Sequence, residues 1–118
     1  MTSQGTAHGR FSRAIAQRNL FNAEIAAKEL GGLSLLDALD YLVLLAELRD
    51  PRFERAAVRF HGRLEAEAPM MTLAEATLAL AALGDIGAGG TGAGGTESVD
   101  ILKWLLRWAR PMLVPALR

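Results

Sequence analysis

The chain has no cysteine. That excludes a disulfide framework, a thiolate metal site and a cysteine nucleophile. Histidine is confined to His8 and His61, and lysine to Lys28 and Lys103. Formal net charge is +0, from 13 basic and 13 acidic residues, so bulk charge gives no pull toward polyanions. No apolar run reaches the ~18 residues that a membrane span requires. The opening MTSQGTAHGRFSRA carries none of the apolar core of a secretion signal, so the expected location is cytoplasmic. β-branched residues are few, which argues against a sheet.

What remains is rich in Ala and Leu, strong helix formers, and the class is all-α. Its 118 residues suit one domain, burying roughly two thirds of its unfolded surface. Residues 1–10 are small and polar and read as a flexible tail. The pattern predicts a first helix over Phe11–Leu30, closed by Gly31-Gly32. It is apolar on two sides: Phe11, Ala14, Ile15, Phe21 and Ile25 on one, and Ala16, Leu20, Ala23, Ala27 and Leu30 on the other. Arg18 and Asn22 fall in the wedge between. They are expected either to be satisfied by a neighbouring helix or to line a groove for a partner segment.

Ser34–Arg49 is predicted as the central helix, apolar nearly all round except for an acidic edge of Asp37, Asp40 and Glu47. Thr72-x-x-Glu75 is a capping box that opens a helix over Leu73–Leu83, whose sole charge is Glu75. Placing Ser34 on Thr72 aligns Leu35 with Leu73, Asp37 with Glu75, Leu42 with Leu80 and Leu45 with Leu83. The expected layout is two tandem antiparallel helical hairpins over residues 11–84. A glycine-rich linker follows over 85–96, built on GAGGT repeated at 87–91 and 92–96. It contains a literal G-x-G-x-x-G, but a helix rather than a strand precedes it, so a phosphate site is not expected. Residues 97–118 hold an amphipathic helix with Trp104 and Trp108 on its apolar side and a short tail. It is expected to dock on the core with the tryptophans as anchors, or to meet a partner groove or a membrane surface.

The sharpest pattern lies in Asp50–Ala68, DPRFERAAVRFHGRLEAEA. Asp50 is the expected N-cap and Pro51 the first helical residue. Phe53, Ala56, Ala57, Phe60, Leu64 and Ala68 form an apolar stripe; Arg52, Arg55, Arg59 and Arg63 form a second face; Glu54, His61 and Glu65 form a third. If the arginines meet Asp37, Asp40 or Glu47, the helix is scaffold. If they are exposed and unpaired, it is a docking surface.

No catalytic constellation joins the carboxylates, and His61 with Glu65 falls short of the three or four convergent ligands of a metal site. The chain therefore reads as non-enzymatic, without cofactor or metal and without an inferred small-molecule substrate. The expected role is a protein-interaction or adaptor module, with self-association through the Leu73–Leu83 surface as one form of it. The first rival is nucleic-acid binding through the arginine stripe. The second is peripheral membrane attachment through the Trp104/Trp108 helix.

RFSRAIAQRNLFNAEIAAKELGGLSLLDALDYLVLLAE and FERAAVRFHGRLEAEAPMMTLAEATLALAAL resemble a group of short all-helical actinobacterial proteins, over about residues 10–84. Eleven arginines against two lysines fit that resemblance. It implies no activity and no site residues. Asp50-Pro51 after a helix, with Ala38 and Ala46, also resembles tetratricopeptide-type repeats, although the period and several signature positions differ.

Overall fold

The computed structural model describes residues 6–89 and 93–108. Among these the chain is all helical, with α1 at Ala7–Ala16, α2 at Leu20–Leu30, α3 at Leu35–Glu47, α4 at Phe53–Glu67, α5 at Leu73–Gly87 and α6 at Ala93–Leu105. A short 3-10 turn, Leu106–Trp108, follows α6. Four of the helix starts are made by side chains that accept from otherwise unpaired N–H groups. Thr6 accepts from Gly9 N, Asn19 from Asn22 N, Ser34 from Asp37 N, and Thr72 from Glu75 N within a complete capping box.

The helix expected over Phe11–Leu30 is two helices. α1 ends at Ala16, Arg18 takes a left-handed backbone (φ 59°), and α2 begins after Asn19. Arg18 N donates to Ile15 O (3.0 Å) and Asn19 N to Ala14 O (2.8 Å). Those two bonds form the Schellman arrangement that normally employs glycine. The same device ends α3: Arg49 is left-handed (φ 54°), its N–H reaches Ala46 O (3.1 Å), and Asp50 N reaches Leu45 O (2.9 Å). Each left-handed arginine is followed by an Asx residue whose side chain accepts from a nearby backbone N–H, Asn22 N in one case and Arg52 N in the other. The sequence offers no glycine at either break, so periodicity alone joins α1 to α2.

The break changes the packing. α1 and α2 close on one another around Phe11, Ala14, Ala23 and Ala26. The main core is separate and draws on α3 to α6, with Leu39, Leu42, Leu45, Leu64, Ile86, Leu102 and Leu105 almost fully buried. α3 touches every other helix. Tyr41 packs against both clusters and joins them. The expected pairing of an unbroken first helix with Ser34–Arg49 is therefore replaced by three closely packed successive pairs, α1 with α2, α3 with α4 and α5 with α6.

Three further boundaries move. Asp50 accepts from Arg52 N (2.8 Å) and holds a turn ahead of α4, so the helix proper opens at Phe53. α5 continues past Leu83 to Gly87, inside the stretch read as linker, and α6 begins at Ala93. Gly87 earns its place sterically: a methyl group there would lie 2.6 Å from Cε2 of Phe53. Ser98 donates to Asp85 (2.8 Å) and ties α6 to the end of α5. Leu102, Leu105 and Leu106 carry the docking of this segment on the core.

Gly62 and Gly87 should respond oppositely to alanine in thermal or urea unfolding. Gly62 is exposed in mid-helix with no atom within 4 Å of an added methyl, and Gly62→Ala should gain about 0.5–1 kcal/mol. Gly87→Ala must displace the Phe53 ring and should lose about 1–2 kcal/mol net. Arg49 makes no ion pair among the described residues, so Arg49→Gly should stabilise by about 0.5–1 kcal/mol through relief of the left-handed strain alone.

Candidate functional site

The four arginines of the α4 stripe divide into two pairs. Arg52 is held on both sides. Its Nε and Nη2 donate to the two carboxylate oxygens of Asp50 (both 3.0 Å), and its Nη1 lies 2.9 Å from Glu24 of α2. Arg63 donates from Nε to Glu67 (2.9 Å) and from Nη1 to Leu33 O (2.7 Å), which fastens the C-terminal half of α4 to the loop before α3. Arg55 and Arg59, one turn apart, are exposed and have no ion pair or hydrogen bond among the described residues. Val58, next to Arg55 on the side of the helix away from Arg59, is 69% exposed. A shallow depression of about 520 Å³ lined by Pro51, Arg52, Glu54, Arg55 and Val58 opens beside it.

Of the two alternatives, pairing with the acidic edge of α3 is not the one adopted: among the described residues none of these arginines reaches it. Asp37 pairs with His8 at 3.1 Å and Glu47 with Arg18 at 2.7 Å. Asp40 lies half-buried between α3 and α6; burial raises its carboxyl above the ordinary range, against the pull of Lys103. Splitting the first helix folded α1 back, and α1 and its turn occupy the edge that α4 would have used.

Arg18 and Asn22 part company for the same reason. Arg18 donates to Ile15 O (2.9 Å) and pairs with Glu47, a structural role at the α1–α2 turn. Asn22 lines a groove of about 300 Å³ between α1 and α2 with Arg10, Arg13, Gln17 and Ile25. Phe21, expected on a buried side, is 72% exposed because the break shifts the phase of α2.

His61 is not on a solvated face. Its Nε2 lies 3.2 Å from Ala76 O and, since a carbonyl can only accept, must be the protonated nitrogen. It thereby ties α4 to α5. Trp104 is not a core anchor: it is 46% exposed, with the Arg107 guanidinium 5.8 Å from its ring centroid. The side chain of Trp108 lies outside the described part. Among the described residues no cluster of His, Asp or Glu could hold a metal, and no helix is long and apolar enough to cross a membrane. The G-x-G-x-x-G begins at the last residue of α5, and 90–92 lie outside the described residues.

Two features escape a reading of periodicity. Val58 belongs to none of the three faces assigned to α4, and an apolar residue between two arginines was the available signal. The junction of Glu24, Tyr41 and Arg52 had no signal, because it joins three elements. Tyr41 Oη donates to Glu24 (2.8 Å), which also receives Arg52. Hydrogen bonds from Arg52 hold the Asp50 carboxyl below its usual range. Burial, then the bond to the Glu24 carboxylate, pushes the Tyr41 phenol up to about 12. No protein-family model, curated protein or solved structure matches the chain.

Tyr41 is the only tyrosine, so absorbance at alkaline pH reads it alone. Its midpoint should lie near 12 in the folded chain and fall in Glu24→Gln, which removes the carboxylate but keeps an acceptor. The unfolded chain releases this proton near 10 while the folded chain holds it to about 12. Stability is therefore intact below pH 10 and should decline between the two values. An ordinary midpoint near 10 would show that the junction does not form.

Proposed function

We propose that the chain is a non-enzymatic helical interaction module that docks an acidic protein surface on the outward face of α4. The observation that carries this is the contrast within one stripe: Arg52 and Arg63 are spent on the fold, whereas Arg55 and Arg59 stand exposed and without a partner among the described residues, with exposed Val58 beside Arg55. Two free guanidiniums favour carboxylates, which they can grip in bidentate fashion. Val58, on the side of the helix next to Arg55, supplies an apolar contact at the edge of that pair. A tied N-terminal turn and a tied C-terminal half fix the helix, so little ordering is required on binding. The neighbouring Glu54 and the net charge of +0 disfavour a polyanion spread over many phosphates.

A photo-crosslinking residue at position 58 should capture an acidic protein in cells, and Arg55→Glu with Arg59→Glu should abolish that capture while far-UV dichroism stays unchanged. Affinity for the captured partner should fall at least about tenfold, or ~1.4 kcal/mol. Nucleic-acid binding that weakens steeply with salt and is lost in the same double variant would replace this reading by its rival.

A further inference from the structure

Among the described residues the outward face of α5 is left uncovered, and its composition is unusual for a free surface. Leu73, Leu80 and Leu78 are 84%, 55% and 40% exposed. Ala74, Thr77, Ala81 and Gly84 complete the face, and its one charged residue is the exposed Asp85 between Ala74 and Leu78, outside the stripe of Leu73, Thr77, Leu80 and Gly84. The polar groups that do border it are already satisfied. Thr77 donates its hydroxyl to Leu73 O (3.0 Å), and the Glu75 carboxylate accepts from Thr72 N (2.9 Å) and Thr72 Oγ1 (3.2 Å) in the capping box. Burying the stripe of Leu73, Thr77, Leu80 and Gly84 strands no donor or acceptor, and the Asp85 carboxylate, which accepts from Ser98 Oγ (2.8 Å), stays at its solvent rim.

The internal alignment with α3 indicates what kind of object the face accepts. Leu35 and Leu42 of α3, the counterparts of Leu73 and Leu80, are 6% and 1% exposed because other helices of the chain cover them. At α5 the same pattern is presented, and among the described residues no helix covers it. The relief of the face also matches itself. Along the helix the ridge reads Leu73, Thr77, Leu80, Gly84, large alternating with small. In an antiparallel pair about a two-fold axis, the register that sets Leu80 against Thr77 of a second copy also sets Leu73 against its Gly84. Around Gly84 a methyl group would meet nothing within 4 Å, so the space for that leucine exists. A parallel pair would instead oppose leucine to leucine and glycine to glycine, with overlap at one level and a gap at the next. The central stripe has no charge with which to select an electrostatic complement, whereas an isologous contact needs only self-complementarity.

We infer that α5 is the interface of a reversible homodimer, two α5 helices packing antiparallel through Leu73, Thr77, Leu80 and Gly84. A helix of 15 residues is ~22 Å long. One face of it is small beside the ~800 Å² per partner of a standard interface. The dimer is accordingly weak and fills in the micromolar range. The inference rests on α5 alone and stands apart from whatever docks on α4.

Sedimentation of the full chain across a micromolar concentration series tests it. The mass should rise from 12.6 kDa toward twice that value. Leu80→Glu, an exposed substitution, should hold the mass at 12.6 kDa with unchanged far-UV dichroism, and Arg55→Glu with Arg59→Glu should leave dimerisation intact. The cysteine-free chain permits a second measurement. Thr77→Cys places two thiols offset by only ~4.5 Å along the pair, and mild oxidation should give a covalent dimer; Leu73→Cys places them ~16 Å apart, beyond the reach of a disulfide. A chain that stays monomeric throughout, a Leu80→Glu variant that still dimerises, or cross-linking of Leu73→Cys as readily as Thr77→Cys would each overturn the antiparallel α5 dimer.

Discussion

Everything in this chain is placed by the need to bury α3 on nearly all sides. Leu39, Leu42, Leu44 and Leu45 are each at most 1% exposed. A single helix cannot hide such a surface from water, and five others are drawn around it. Fully burying each leucine is worth about 1.5–3 kcal/mol, so α3 alone outweighs most of the polar contacts taken singly. The three carboxylates of α3 follow from this. Asp37 and Glu47 sit where the covering leaves a seam, and α1 and its turn close that seam with His8 and Arg18.

Tyr41 is where the burial of α3 meets the smaller α1–α2 cluster. Its ring packs against both cores, and its hydroxyl is led to Glu24 at the rim. Arg52 completes that junction and, through Asp50, fixes the start of α4. One consequence reaches the proposed docking surface. Because Arg52 is committed to the junction and Arg63 to the loop before α3, the free cations of α4 among the described residues are confined to its first two turns. A stripe that looked uniform becomes a short exposed pair bracketed by anchors.

How much was legible follows from how local each feature is. The capping box at Thr72, the cap at Ser34 and the apolar stripe of Ala57, Phe60, Leu64 and Ala68 lie in the sequence as spacing and appear in the structure as such. The break at Arg18 does not, since a left-handed arginine leaves no trace in hydrophobic periodicity. That one miss accounts for several others: the exposure of Phe21, the separation of Arg18 from Asn22, and the loss of the acidic edge as a partner for α4. The alignment of α3 with α5 was real in sequence but silent about burial, because the two helices have different numbers of neighbours.

By itself the sequence determined the all-α class, the helix starts at Ser34 and Thr72, the buried stripe of α4 and the absence of any thiol chemistry. These depend on residue type and on contacts three or four positions apart, which the chain carries in its order. The tertiary structure alone decided which arginines are spent and which are free, that Trp104 is a surface residue while Leu102 and Leu105 anchor α6, and that Leu73 and Leu80 are left uncovered. Those outcomes turn on which helices meet. Partners such as Glu24 and Arg52, 28 positions apart along the chain, are chosen by packing and not by spacing.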